Sequence, residues 1–493
     1  MRRILGILLV VHVLALLFGA RITILHVNDT HGRAWTTSDL GGFAVIATIV
    51  ESVRKEVESS GGYVLFLHAG DLNTGVPESD LLDAMPDILA LNMIGLDAMV
   101  VGNHEFDKPR EVLLRQMKLA EFKFLSANIV DSEGKPFFTP YLVKQLGDVK
   151  VAIVGFTTEE TEILEPLYLE GLRFKNVIEV ARELVPRVRK ESDIVIALVH
   201  LDWGTPTRRN VTTTHQLAVV EGIDVIIAGH SHTKLEKAEV VNGTILVQAW
   251  EHGKYVGRLD LEVENGKIVN WSWKPIPVDP KVYPEDRQVS KVLTFFKKLG
   301  DEKLDTTIGE TKILLDGERE NVRSKSTNLS NLIADAMRWK VGADIAFTNG
   351  GGIRASIKPG FIKIRDILTV LPFGNTLYVL EMKGKDVLKV LEYAATVEPG
   401  KGAFLQVSGL RWRSKDGKVV EVFVNGEPLD LERTYKVVTN NYMAQGGDGY
   451  TVFAGLPGYD TGFLMADAVV EYIQKVLGGV VEDYDSSQRY VRE

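Results

Sequence analysis

Between Arg21 and about Pro280, short apolar runs alternate with longer stretches that mix apolar and charged positions at helical spacing. The runs "ITILHVND", "VLFLHAGD", "AMVVGNHE", "KFLSANIV", "VAIVGFTT", "DIVIALVH", "DVIIAGH" and "TILVQAW" are rich in β-branched residues and read as buried strands. A stretch such as "FAVIATIVESVRKEVESSG" reads as a helix that stops at glycine. Strands and helices in alternation predict a layered α/β domain. Prolines then cluster in "KPIPVDPKVYPED", and "RQVSKVLTFFKKLGDEK" follows as an amphipathic helix. This segment, residues 281–304, is expected to connect the first domain, 21–280, to a second, 305–493. The second opens on a helix, "NLSNLIADAMRWKVG", and the strand of "ADIAFTNGGGIR", with later strands in "TLYVLEM" and "TYKVVTNNY". No repeat of fixed period and no low-complexity tract interrupts either part.

The first twenty residues follow a different pattern. Arg2 and Arg3 precede an uncharged apolar run that closes on Gly19-Ala20, the layout of a secretory signal cleaved near Ala20. An uncleaved anchor is the alternative, although the run from Ile4 to Phe18 is short for a membrane span. The expectation is an exported protein: secreted, periplasmic or held at the cell surface. No second run approaches membrane-spanning length, so a multi-span protein is excluded.

Composition narrows the partners. The 493 residues carry a formal charge of −9, and loss of the leader removes two more positive charges. Long nucleic acid is therefore an unsuitable partner, whereas a small anion remains acceptable wherever local cations override the field. The chain has no cysteine, which excludes disulfides, thiolate metal ligands and cysteine nucleophiles.

Candidate chemistry gathers at the strand ends. "HVND" closes on Asp29, with His31 just beyond; "LHAGD" closes on Asp71; "VVGN" on Asn103, before His104; "ALVH" on His200; and "IIAGH" on His230, with His232 two residues on. One such residue alone is an ordinary turn former or a satisfied polar group. Together they can share the crevice beyond the carboxyl ends of the strands. Carboxylates, an amide oxygen and imidazoles suit Zn, Mn, Fe or Co better than Ca, and two ions would share a bridging carboxylate. His12, His26, His68, His215 and His252 are set aside, with His26 and His68 expected to be satisfied within their strands.

The ordered motifs "DTHG", "AGD", "GNHEFD", "LVH" and "GHSH" resemble those of the calcineurin-type metallophosphoesterases. With "TNGGGIR", "LPFGN" and "GGDGY" added, the chain after its leader is similar to the secreted 5′-nucleotidase family. The resemblance implies an N-terminal four-layer αββα metallophosphoesterase domain and a smaller α/β substrate-binding domain. It implies one metal on Asp29, His31, Asp71 and His232, and a second on Asp71, Asn103, His200 and His230, with Asp71 bridging. Two cations ~3.5–4 Å apart clamp phosphate oxygens and lower the pKa of a bound water. His104 then faces the phosphoryl group, oriented by Asp107, while Glu105 and Phe106 are structural. His232 stands where some relatives have Gln.

The second domain is expected to read the substrate. Arg319, Arg323 and Arg354 are candidates for a local cationic pocket, Arg354 lying just after three glycines that let backbone approach a ligand. The resemblance implies that Phe373 and Tyr442 sandwich the nucleobase, that Asn349 and Asn375 lie near the nucleoside, and that Asp448 binds ribose hydroxyls. Tyr442 replaces the Phe of several 5′-nucleotidases, and some cyclic-nucleotide hydrolases of the superfamily use tyrosines. The expected activity is hydrolysis of nucleoside 5′-monophosphates. Alternatives are 2′,3′-cyclic phosphodiester or 3′-nucleotide hydrolysis, nucleotide-sugar pyrophosphate cleavage, thiosulfate-ester hydrolysis, or nucleotide binding by a degenerate centre.

Overall fold

The computed structural model describes residues 19–164, 168–206 and 211–493. The leader expected at residues 1–20 lies outside them except for Gly19 and Ala20. No helix among the described residues is long and apolar enough to cross a membrane. The chain divides into two compact units: one of residues 1–73, 82–162 and 169–296, and one of residues 74–81, 163–168 and 297–493.

The first unit is built on two six-stranded sheets. In one, the order is Lys267–Pro277, Tyr255–Glu264, Ala20–Val27, Tyr63–His68, Ala98–Val100 and Lys123–Leu125. In the other it is Glu239–Val241, Thr244–Gln248, Val225–His230, Ile194–Leu201, Val149–Thr157 and Tyr141–Leu146. Ile24, Leu65 and Val100 of the first sheet pack with Ile153, Ile196 and Ile227 of the second in one fully buried layer. Each such side chain contributes ~1.5–3 kcal/mol by leaving water. Helix Val177–Val188 covers the outer face of the second sheet through Ala181, Val185 and Val188. Helix Gly42–Ser59 buries Phe43, Ile46 and Val50 and runs beside strand Tyr63–His68. Strands covered on both faces are predominantly apolar, which is why these runs do not alternate.

The central strands pair in parallel, so their carboxyl ends finish along one edge. Val27 is opposite His68, and Leu67 is opposite Ala98. In the second sheet, His200 is opposite both Thr157 and Gly229.

The second unit centres on a five-stranded sheet ordered Leu405–Ser408, Ile345–Asn349, Thr434–Asn440, Thr376–Lys383 and Gly458–Leu464. Helices Asn328–Val341 and Met465–Lys475 close one face, and helix Gly384–Thr396 the other. The first of these helices starts where Thr327 and Ser330 cap each other and stops at Gly342, with φ of 60°. Strand Ile345–Asn349 ends in the single turn Gly350–Gly352, which leads to Arg354.

Candidate metal centre and nucleotide-binding residues

In the first unit the strand-end loops are braided together by backbone. Asp29 N donates to Gly70 O at 2.9 Å, His31 N to Asp71 O at 3.1 Å and Gly32 N to Leu72 O at 2.8 Å. Five of the candidate ligands hold left-handed backbone: Asp29 (φ 50°), His31 (49°), Asp71 (57°), His230 (80°) and His232 (51°). Each costs about 1–3 kcal/mol outside glycine and persists only where its surroundings enforce it. Glu105 supplies part of that enforcement. Its buried carboxylate accepts from Asp71 N (3.1 Å), Leu72 N (2.9 Å), Asn73 N (3.3 Å) and Gly102 N (2.7 Å). Burial and the neighbouring Asp71 carboxylate push Glu105 up to about 7 against those donors.

Asp71 lies at the middle of the side-chain cluster. Its Oδ2 is 3.1 Å from His200 Nε2, 3.9 Å from His31 Nε2 and 4.0 Å from His104 Nε2. Burial alone would raise its pKa, but His200 and His104 hold it well below the usual carboxylate range. His200 is turned by its Nδ1, 2.8 Å from the Ala69 carbonyl. Asn103 Oδ1 lies 3.2 Å from His200 Nε2 and 3.1 Å from His230 Nδ1. On the other side, His232 Nε2 is 3.4 Å from both Asp29 Oδ1 and His31 Nε2. Burial would lower His232 and His200, yet Asp29 and Glu251 push the first up to about 9, and Asp71 the second to about 9. His104 directs Nδ1 to Asp107 Oδ2 at 2.8 Å, leaving Nε2 toward Asp71.

These positions fit divalent cations. Ligand-capable atoms of Asp29, His31 and His232 lie within 4.8 Å of one another, as do those of Asp71, His200 and His230. The facing Nε2 atoms of His31 and His232 are two imidazole nitrogens crowded around a carboxylate, an arrangement that a cation satisfies.

Four residues that were not expected also join this cluster. Glu251 Oε2 meets His232 Nδ1 at 2.6 Å. Glu160 and Asp202 lie 3.5 and 3.8 Å from His230 Nε2. Both follow closely on the strand ends at Thr157 and Leu201, so the strand-end rule reaches them once acids as well as histidines are counted. His252, set aside on sequence, has its ring 5.8 Å from His31 and 5.9 Å from His232, because the loop after strand Thr244–Gln248 folds back against Asp29. The expectation that His26 is satisfied also fails. Neither ring nitrogen has a hydrogen-bond partner among the described residues, since the ring is stacked 5.3 Å from Trp273 with Gly257 against its edge. His68 is half satisfied, through Thr30 Oγ1 at 3.0 Å. His215 pairs with Glu239 at 2.7 Å.

In the second unit, Asn349 Nδ2 donates to Asp448 Oδ2 at 2.7 Å and accepts at Oδ1 from Asn440. Asp448 N donates to the Tyr442 hydroxyl at 3.0 Å, and the Tyr393 hydroxyl donates to Asp448 O at 2.7 Å. Asp448 is itself left-handed, with φ of 57°. The Arg354 guanidinium lies 5.4 Å from the Phe373 ring centre. Arg323 is buried, and burial with Arg319 and Arg354 nearby pulls its pKa down to about 9, Asp448 opposing. Arg319 is exposed, and Asn375 is half-buried, held by its carbonyl through Met465 N at 2.8 Å. Tyr393 carried no sequence signal, because it lies mid-helix at an ordinary apolar position.

Two stacked sheets with carboxylates and histidines at their strand ends define a calcineurin-like phosphoesterase, and residues 22–234 match that family. Residues 307–455 match the 5′-nucleotidase C-terminal domain. Over 502 residues the chain is 38% identical to protein UshA of Escherichia coli (strain K12), covering 92% of this chain and 91% of that one. It is 38% identical over 500 residues to a 5′-nucleotidase of Vibrio cholerae, covering 92% and 90%. The crystal structure of a 5′-nucleotidase precursor from Thermus thermophilus superposes with a TM-score of 0.82 at 34% identity, covering 96% of this chain and 99% of that one. The chain belongs to the 5′-nucleotidase family of hydrolases.

Proposed function

We propose that this protein is an exported two-metal phosphohydrolase that converts nucleoside 5′-monophosphates to nucleoside and phosphate. Residues 21–280 hold the metals and residues 305–493 read the nucleotide. The observation that carries this reading is the pair of adjoining clusters, Asp29, His31 and His232 on one side and Asp71, His200 and His230 with Asn103 on the other, with the Asp71 carboxylate within 4.0 Å of His31, His104 and His200. One ion would be held by Asp29, His31, Asp71 and His232, and the other by Asp71, Asn103, His200 and His230. When bound, the ions neutralise phosphate charge and activate water for in-line attack.

The chain's own groups supply the rest. His104, with Nδ1 on Asp107, presents Nε2 to stabilise the phosphoryl group or give a proton to the departing ribose oxygen. Arg319, Arg323 and Arg354 provide charged forks for the anion. Phe373 and Tyr442 stack the base, with Asn349 and Asn375 beside the nucleoside and Asp448 toward the ribose hydroxyls. Export is supported by the Arg-Arg and apolar pattern of residues 2–18.

The test is phosphate release from AMP, 3′-AMP, 2′,3′-cyclic AMP, UDP-glucose and ATP, with Mn or Co in excess. AMP as the preferred substrate supports the proposal, and no release from any substrate overturns it in favour of a nucleotide-binding protein. Tyr442, at a position where several 5′-nucleotidases carry Phe and some cyclic-nucleotide hydrolases carry tyrosine, keeps cyclic-nucleotide hydrolysis as the second reading. Faster turnover of 2′,3′-cyclic AMP than of AMP would establish it.

A further inference from the structure

The loop "QAWEHGK", residues 248–254, is tied to both halves of the proposed first metal site. On one side, Ala249 N donates to Asn28 Oδ1 at 3.0 Å and His252 N to the Asp29 carbonyl at 2.6 Å. On the other, Trp250 N donates to the Thr233 carbonyl at 3.2 Å, and Ser231 Oγ hydrogen-bonds the Gln248 amide at 2.9 Å. Trp250 and His252 hold left-handed backbone, with φ of 66° and 59°, so residues 250–252 are bent into place from both ends. Between these two lies Glu251. Its Oε2 is 2.6 Å from His232 Nδ1, while its Oε1 accepts from Lys254 Nζ at 2.7 Å. Lys254 in turn lies 4.1 Å from the Trp250 ring centre.

We propose that Glu251 is the positioning residue that fixes His232 as a metal ligand through Nε2. An imidazole that donates Nδ1–H to a carboxylate keeps its lone pair on Nε2 and has its ring plane set. His232 Nε2 then faces Asp29 Oδ1 and His31 Nε2, each at 3.4 Å. Lys254, packed over the Trp250 ring, holds the other carboxylate oxygen, so a flexible side chain becomes a fixed acceptor. In the second site His200 is oriented by the Ala69 carbonyl and not by this carboxylate. Loss of Glu251 is therefore expected to weaken one ion and spare the other.

The inference rests on the two-metal reading, and its test separates the two. Full-length metal-free protein is titrated with Co(II), read by its visible absorption and by competition with a chelator, which gives stoichiometry and an affinity for each site. Wild type is expected to take two ions; if it takes none, the two-metal reading itself fails. Glu251→Ala should lose ~10–100-fold in affinity at one site, with a changed absorption band for that ion only. Glu251→Gln retains an acceptor oxygen of the same reach and should recover part of the loss. Lys254→Met, which removes the support but leaves the carboxylate, should bind both ions within a few-fold of wild type. Thermal unfolding of the metal-free proteins checks that the variants fold alike. Unchanged affinity in Glu251→Ala and Glu251→Gln, or equal weakening of both ions, overturns the assignment. So does a loss in Lys254→Met as large as that in Glu251→Ala, since Glu251 would then serve only the loop.

Discussion

Single side chains divide into those that would bind metal and those that tune the fold beneath it. Asp71 is shared by both proposed metal sets, so Asp71→Ala should lose more activity than removal of any other ligand, and metal analysis should find neither ion at full occupancy. His104→Ala should keep both ions yet lose ~10²–10⁴ in turnover on AMP, the range for one proton-transfer or charge-stabilising group. Comparison with nitrophenyl phosphate, whose leaving group needs little protonation, identifies the role: a smaller loss there marks His104 as an acid, an equal loss as an electrostatic stabiliser. His26 makes a different prediction. Burial holds it down at about 3, and His68 at about 4, both below the ordinary value of 6.5. A lowered histidine binds its proton less well folded than unfolded, so its contribution is fully present above pH 6.5 and lost as pH falls toward 3–4. Each adds a slope of up to ~1.4 kcal/mol per pH unit across that window. The unfolding free energy of His26→Leu, from urea titrations, should therefore fall less steeply between pH 6 and 4 than that of wild type, while an unchanged pH slope would place acid sensitivity elsewhere.

Among the elements, the strand ends do more than carry ligands; their glycines make room for them. A Cβ on Gly102 would lie 2.2 Å from Asp71 Oδ1, and one on Gly229 would lie 2.1 Å from the Ala69 carbonyl and 2.9 Å from His200 Nδ1. Backbone cannot withdraw as a flexible side chain can, so the Asp71 and His200 side chains would be displaced. Gly102→Ala and Gly229→Ala should each lose metal affinity more than they lose melting temperature. Circular dichroism and metal content on the same samples would separate the two effects; a variant that unfolds outright would show that the glycine serves the core first.

For the molecule as a whole, reaction and recognition are proposed to reside in different parts of the chain. An aromatic contact contributes only ~0.5–1.5 kcal/mol beyond its area. Phe373→Ala and Tyr442→Ala should accordingly raise KM for AMP with little change in kcat, and leave inhibition by inorganic phosphate untouched. Equal weakening of phosphate and AMP would remove these side chains from the base site. Tyr442 carries a further consequence, because its hydroxyl accepts from Asp448 N. Tyr442→Phe keeps the ring but removes that acceptor, and a KM increase for AMP larger than for 2′-deoxy-AMP would confirm that the bond sets Asp448 toward the ribose.

Much of this was legible in one dimension. A strand buried on both faces is mostly a continuous apolar run, and the polar groups that follow such a run gather just beyond its end. Asp29, Asp71, Asn103, His200 and His230 were visible for that reason, and so were the sheets that carry them. The direction of each ring was not. His232 is turned by Glu251, His200 by the Ala69 carbonyl 131 positions away, and Asn28 reaches Ala249 across 221. No local period records such contacts, and for the same reason the pattern along the chain shows neither the approach of His252 to the cluster nor the lack of a partner for His26. The sequence by itself determined which residues arrive at the crevice, through the periodicity of buried strands; only the tertiary structure decided which atom each presents, because a rotamer and a tautomer are set by whatever distant group the fold brings within hydrogen-bond reach.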